Sequence, residues 1–158
     1  MIIIDGYNLL WAIQESSEEF ESVSDVQLCR IVGRYLRLVS ENGEIVFDGT
    51  GPPDKSGFDN ISNLEVLFAR QGGDADTVIE DKIRANTSRR RLTVVSSDRR
   101  VARAARARKA AAVKSQVFWN NLQKRLSRKR IIKEPAAKRW GLNESETKQW
   151  LKFFGLEQ

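Results

Sequence analysis

The chain has 158 residues, enough for one domain with a real core, and no apolar run near bilayer length. It contains no histidine and a single cysteine, Cys29, which excludes Ser-His-Asp and Cys-His triads, imidazole-based zinc sites and any disulfide framework. Its net charge of +6 is unevenly spread: residues 89–139 hold 18 Lys+Arg against 2 Asp+Glu, a local excess of +16 that favours a polyanionic partner.

The first predicted strand is Ile2–Asp5, apolar until its last residue, as a buried parallel strand should be. The Ile2–Ile4 run is short, lacks a basic leader and stops at Asp5, so a cytoplasmic protein is expected. Asn8 reads as a cap for a helix from Leu9 onward or as an amide able to orient a phosphate or a metal-bound water. Gly6 permits a tight turn or close approach to a ligand. Residues 14–24 are polar and acidic and read as a loop. Ser24–Gln27 forms a capping box, and Leu28, Ile31, Tyr35 and Leu38 follow at helical spacing with Val32 and Val39 beside them. Asn42-Gly43 supplies the expected helix stop.

A second short strand, EIVFDG, again ends on an aspartate and a glycine, Asp48 and Gly49. Leu64–Ala69 is the third strand. The helix after it runs from Asp74 to about Asn86, with Ala75, Val78, Ile79 and Ile83 as its apolar side. The fourth strand, Leu92–Ser96, leads to Asp98, and an Ala/Arg-rich helix extends from there to about Lys109. A short fifth strand is expected around Val113, then a helix with Val117, Phe118 and Leu122 on one side. Pro135 marks a break, and a final amphipathic helix carries Trp150, Leu151 and Phe154. Strands alternating with helices predict an α/β fold with a central parallel sheet of about five strands, helices on both faces and a C-terminal helical tail. Residues 1–134 form the domain, and 135–158 an appendage packed on it.

In a parallel sheet all the strand-to-helix loops gather at the carboxyl edge, where α/β proteins place ligands. Asp5, Asp48 and Asp98, with Asp74 and Asp76 of the GGDAD segment, therefore meet at one edge. Each also has a purely structural role open to it: a turn residue at Asp5 or Asp48, an N-cap at Asp74 or Asp98, a dipole-favoured acid at Asp76. Ser96 and Ser97 compete with Asp98 for its cap. Glu80 lies one turn beyond Asp76 and faces Arg84 at helical spacing. Together the carboxylates call for a hard cation, Mg²⁺ or Mn²⁺, which needs neither His nor Cys. Arg99, Arg103 and Arg106 share one helical face and are the first candidates to contact a nucleic-acid backbone. A second basic block contributes Lys124, Arg125, Arg128, Lys129 and Arg130. Arg89–Arg91 start at the opposite edge of the sheet and carry less weight as substrate contacts.

The segments IIIDGYNLL, IVFDG, GGDADTVIEDKI and TVVSSDRRVARAAR, in that order, closely resemble the YacP-like group of NYN-domain proteins, part of the PIN-like nuclease superfamily. The resemblance runs from Met1 to about Leu126. It implies a Rossmann-like fold and an acidic pocket that binds one or two Mg²⁺ or Mn²⁺ ions and cuts RNA. By motif, Asp5, Asn8, Asp76 and Asp98 match the family's site residues, and Asp48 falls where such proteins often carry an acid. Asp74 is an extra carboxylate placed with the metal candidates, and Glu80 has no role assigned by the resemblance. The expectation is a metal-dependent endoribonuclease acting on RNA, with the second basic block either extending the RNA track or binding ribosomal RNA. The alternative is a non-catalytic RNA- or ribosome-binding module with a vestigial pocket. A phosphatase or nucleotide-binding reading lacks a Gly-rich phosphate loop after the first strand.

Overall fold

The computed structural model describes residues 1–16 and 23–128. The tail expected after Pro135 lies outside them, as do Lys129 and Arg130.

Five strands, β1 (Ile2–Asp5), β2 (Gly43–Phe47), β3 (Leu64–Phe68), β4 (Thr93–Val95) and β5 (Ala111–Val113), form one all-parallel sheet in the order β3-β2-β1-β4-β5. β1 is central because it is buried on both faces: every residue from Ile2 to Asp5 is buried. Its alternating side chains feed two cores. Ile2 and Ile4 join the core beneath α1 (Gly6–Ser16), α2 (Asp25–Leu38) and α5 (Ser115–Arg128). Ile3 joins the core beneath α3 (Ala75–Ala85) and α4 (Arg99–Ala107). The chain thus has helices on both sides of the sheet, as its sequence pattern predicts.

Local chemistry sets most element boundaries. Ser24 and Gln27 close the expected capping box on α2. Asp74 caps α3 through Thr77 N–H, and Asp98 caps α4 through the N–H groups of Arg100 and Val101. Three expectations are corrected. The segment read as a loop from residue 14 is helical to Ser16. α2 ends before Asn42-Gly43: the left-handed residue after it is Ser40, with φ 55°, and Gly43 opens β2 instead. Val117 is 48% exposed, whereas Phe118, Trp119, Leu122 and Leu126 are buried. Those four fall within about 100° of each other around the helix, and Val117 lies on the far side at 100° per residue.

Candidate active site

The strand order reverses at β1, which has β2 on one side and β4 on the other. A crevice at the carboxyl ends of such a pair is where open α/β sheets bind ligands. Asp5 ends β1 there and is only 6% exposed. Across the crevice Ser96, just past β4 and equally buried, donates its hydroxyl to Asp5 Oδ2 at 3.1 Å. The Ser96 oxygen in turn accepts the Asp98 N–H at 3.1 Å, so one hydroxyl links the two aspartates.

Burial pushes the Asp5 carboxyl up to about 6. The charges of Asp76 and Asp48 add to the rise, while the Ser96 hydroxyl and the Asn8 backbone N–H oppose it. Asp76, in the first turn of α3, is half-buried and also raised, first by burial, then by Asp98 and Asp74, with Arg100 opposing. Asp74 is instead lowered by its hydrogen bonds to Thr77. The five acids expected at one edge therefore act on one another electrostatically. Their roles differ. Asp48 Oδ1 accepts the Ala75 N–H at 2.7 Å, so it helps satisfy the amino end of α3 from another loop. Asp74 Oδ1 accepts from Thr77 at 2.6 Å, and Asp98 Oδ1 from Arg100 at 2.7 Å. Among the described residues, no three carboxylates already stand close enough to enclose one ion. The donor set nevertheless suits a hard divalent cation: it offers only oxygen, it is anionic, and Asp5 and Asp76 are raised first by burial and further by the charges of neighbouring acids.

Asn8 does not cap a helix; it lies inside the first turn of α1. Its Oδ1 accepts the Ser97 N–H at 2.8 Å and the Ser115 hydroxyl at 2.6 Å. One amide oxygen thus ties together the loop after β4 and the starts of α1 and α5. Gly6 is fixed by packing. A Cβ there would lie 2.4 Å from the Phe47 ring, so the residue must be glycine for α1 to leave β1 over that ring. Tyr7 packs edge-on against Phe47 at 5.1 Å, and burial, with the charges of Asp25 and Asp48, raises its hydroxyl.

Glu80 meets Arg84 only at 3.9 Å; its main partner is Arg100, which binds it bidentately at 2.7 and 3.1 Å. Arg100 also bears on Asp74 and Asp76, making it the cation that borders the acidic cluster. Sequence spacing alone did not single out Arg100, Ser96 as the Asp5 partner, or Ser115. The SSD tripeptide held a signal for Ser96; nothing in the sequence links Ser115 to Asn8, 107 residues away.

A family model for the YacP-like NYN domain matches residues 2–153. The chain belongs to the YacP-like NYN family. Two solved structures share the fold of this NYN domain. The crystal structure of Rae1 (YacP) from Bacillus subtilis is 21% identical, with 98% of this chain and 92% of that chain covered and a TM-score of 0.68. That of a tryptophan-to-leucine mutant of the same protein is also 21% identical, with 94% and 89% covered and a TM-score of 0.61. No curated protein matches the chain.

The basic residues expected to contact RNA are divided by this NYN domain. Arg99, Arg103 and Arg106 are exposed on α4, on one side of the sheet; Lys124, Arg125 and Arg128 are carried by α5, on the other. No helix among the described residues is long and apolar enough to cross a membrane.

Proposed function

We propose that the protein is a divalent-metal-dependent endoribonuclease that hydrolyses RNA phosphodiester bonds at the acidic end of its sheet. The single observation that carries this reading is the buried Asp5 at the strand-order reversal, burdened by the charges of Asp76 and Asp48. A surface built only to hold phosphates gains nothing from such charges. Membership of a family in the PIN-like nuclease superfamily supports the same chemistry.

Asp5, Asp76 and Asp98 would hold Mg²⁺ or Mn²⁺, with Asp48 and Asp74 at hand for a second ion. When bound, the ion lowers the pKa of a water and neutralises charge developing at the phosphate. The chain supplies the frame. Ser96 holds the Asp5 carboxylate through Oδ2, and the Asn8 backbone N–H also bears on that carboxylate. Asn8 locks the loop that carries Ser96 and Asp98 against α1, while its Nδ2 has no partner among the described residues. Arg100, held by Glu80, limits repulsion among the acids without entering a carboxylate pair with Asp5 or Asp76. Arg99, Arg103 and Arg106 draw the RNA backbone toward the pocket.

Asp76→Asn should abolish Mn²⁺-dependent cleavage of RNA while retaining the fold and RNA binding; undiminished cleavage by that variant overturns the assignment. One observation favours the alternative of a non-catalytic RNA-binding module: Asp48, Asp74 and Asp98 each already bond a helix amino terminus. Tight RNA binding by the wild-type protein with no cleavage on adding Mn²⁺ would establish that module.

A further inference from the structure

At the amino edge of the sheet, opposite the acidic carboxyl edge, lies a cleft of about 470 Å³ lined by Thr87, Ser88 and five cations: Arg89, Arg90, Arg91, Arg108 and Lys109. Two connections build it. The single 3-10 turn Arg89–Arg91 leads into β4, and the end of α4 leads through Lys109, at φ 61°, toward β5. No carboxylate lines the cleft. Among the described residues none of the five has an acidic partner, and Glu41, which reaches the Met1 ammonium near Arg91, is occupied by it at 2.7 Å. Arg108 is anchored by Nη2 on the Arg84 carbonyl at 2.7 Å, and its buried Nε–H has no acceptor among the described residues. Five cations around one concavity repel each other, so the cleft is best satisfied by an anion with several oxygens.

α4 joins this cleft to the acidic pocket. It starts beside Asp98 at the carboxyl edge and ends at Arg108 at the amino edge, about 14 Å away at 1.5 Å per residue. Arg99, Arg103 and Arg106 are exposed along it and fall within about 60° of one another around the helix. We propose that the cleft is a distal anchor for RNA phosphates, and that a single RNA strand runs from the acidic pocket along the arginines of α4 into it. The surface binds RNA backbone by charge and is distinct from the point of cleavage. This rests on RNA being the substrate of the acidic site.

The test uses binding, in chelator and in the Asp76→Asn background, so that it does not depend on cleavage. The triple variant Arg89→Ser/Arg90→Ser/Lys109→Gly removes three exposed cations, with glycine suited to the left-handed backbone at Lys109. Two labelled single-stranded RNAs are titrated: one too short to span α4 and one long enough to pass beyond it. The long RNA should bind at least about tenfold more weakly to the variant. Its log–log salt slope should fall by about 2, since each phosphate on a single strand that is no longer neutralised removes ~0.7. The short RNA should keep its affinity. Equal weakening for both lengths, or no weakening for either, overturns the anchor. Thermal unfolding of the triple variant and of Lys109→Gly alone reports damage to the fold independently of RNA binding. Failure of the RNA-cleavage assignment shows differently, as absence of Mn²⁺-dependent cleavage by the wild-type protein with RNA binding retained.

Discussion

Asp5 is costly to fold as a carboxylate. Its folded-state pKa of about 6 lies above the ordinary 3.8, so the native state holds this proton more tightly than the unfolded chain. The resulting stability is fully present below about pH 3.8 and is lost as pH rises through about 6. A rise of that size corresponds to about 3 kcal/mol at neutral pH. Urea unfolding in chelator should show Asp5→Asn gaining on the wild type by up to that amount between about pH 4 and pH 7, the gap opening as pH increases. A gap that stays flat across that range would mean that Asp5 titrates normally. Gly6 is constrained by sterics. Gly6→Ala forces a Cβ to within 2.4 Å of Phe47, a ring that also stacks on Phe68, so it should cost about 1–3 kcal/mol in the same assay. Asn8→Ala removes the acceptor shared by Ser97 N–H and the fully buried Ser115 hydroxyl, and should cost about 1–3 kcal/mol while lowering cleavage by loosening the loop that carries Ser96.

At the scale of elements, the acids of the pocket are also helix caps, and the two roles can be separated. Asn caps a helix about as well as Asp, whereas Ala loses about 1 kcal/mol at such a position. Asp98→Asn should therefore leave the unfolding midpoint of the protein nearly unchanged and still remove cleavage, while Asp98→Ala should lower both. Loss of cleavage in the alanine variant alone would assign Asp98 to structure. The sequence pattern was legible at this scale wherever a strong local signal existed. The capping box of α2, the Asp74 and Asp98 caps and the apolar face of α3 all follow from neighbouring residues. The helix stop at Asn42-Gly43 did not, because Ser40 took the left-handed position and Gly43 was needed where Leu36 and the Ile2 carbonyl crowd the strand. Val117 was misplaced because it is adjacent to a buried face in sequence and opposite to it around the helix.

At the scale of the whole molecule, charge is distributed by topology. The sheet separates the basic residues of α4 from those of α5, and it separates the acidic carboxyl edge from the basic amino edge by the length of the strands. RNA binding in the Asp76→Asn background should therefore weaken more for Arg103→Ala/Arg106→Ala, exposed on α4 between the two edges of the sheet, than for Lys124→Ala/Arg128→Ala across the sheet. Fluorescence anisotropy at fixed salt measures the difference, and an equal loss for both pairs would mean that charge acts without a defined path.

By itself the sequence determined the α/β class, the apolar strands that end in acids, the dense basic stretch and the family, because each is written in local pattern or in motifs of contiguous residues. It also excluded imidazole chemistry among these residues, since the sequence has no histidine. Tertiary structure alone decided the rest. Ser96 meets Asp5 across 91 residues, Asn8 meets Ser115 across 107, and Arg100 reaches Glu80 rather than leaving it to Arg84. Arg89–Arg91 acquired a cleft only when Arg108 and Lys109 arrived beside them. Contacts of that kind depend on strand order and crossover paths, and no short-range spacing encodes them.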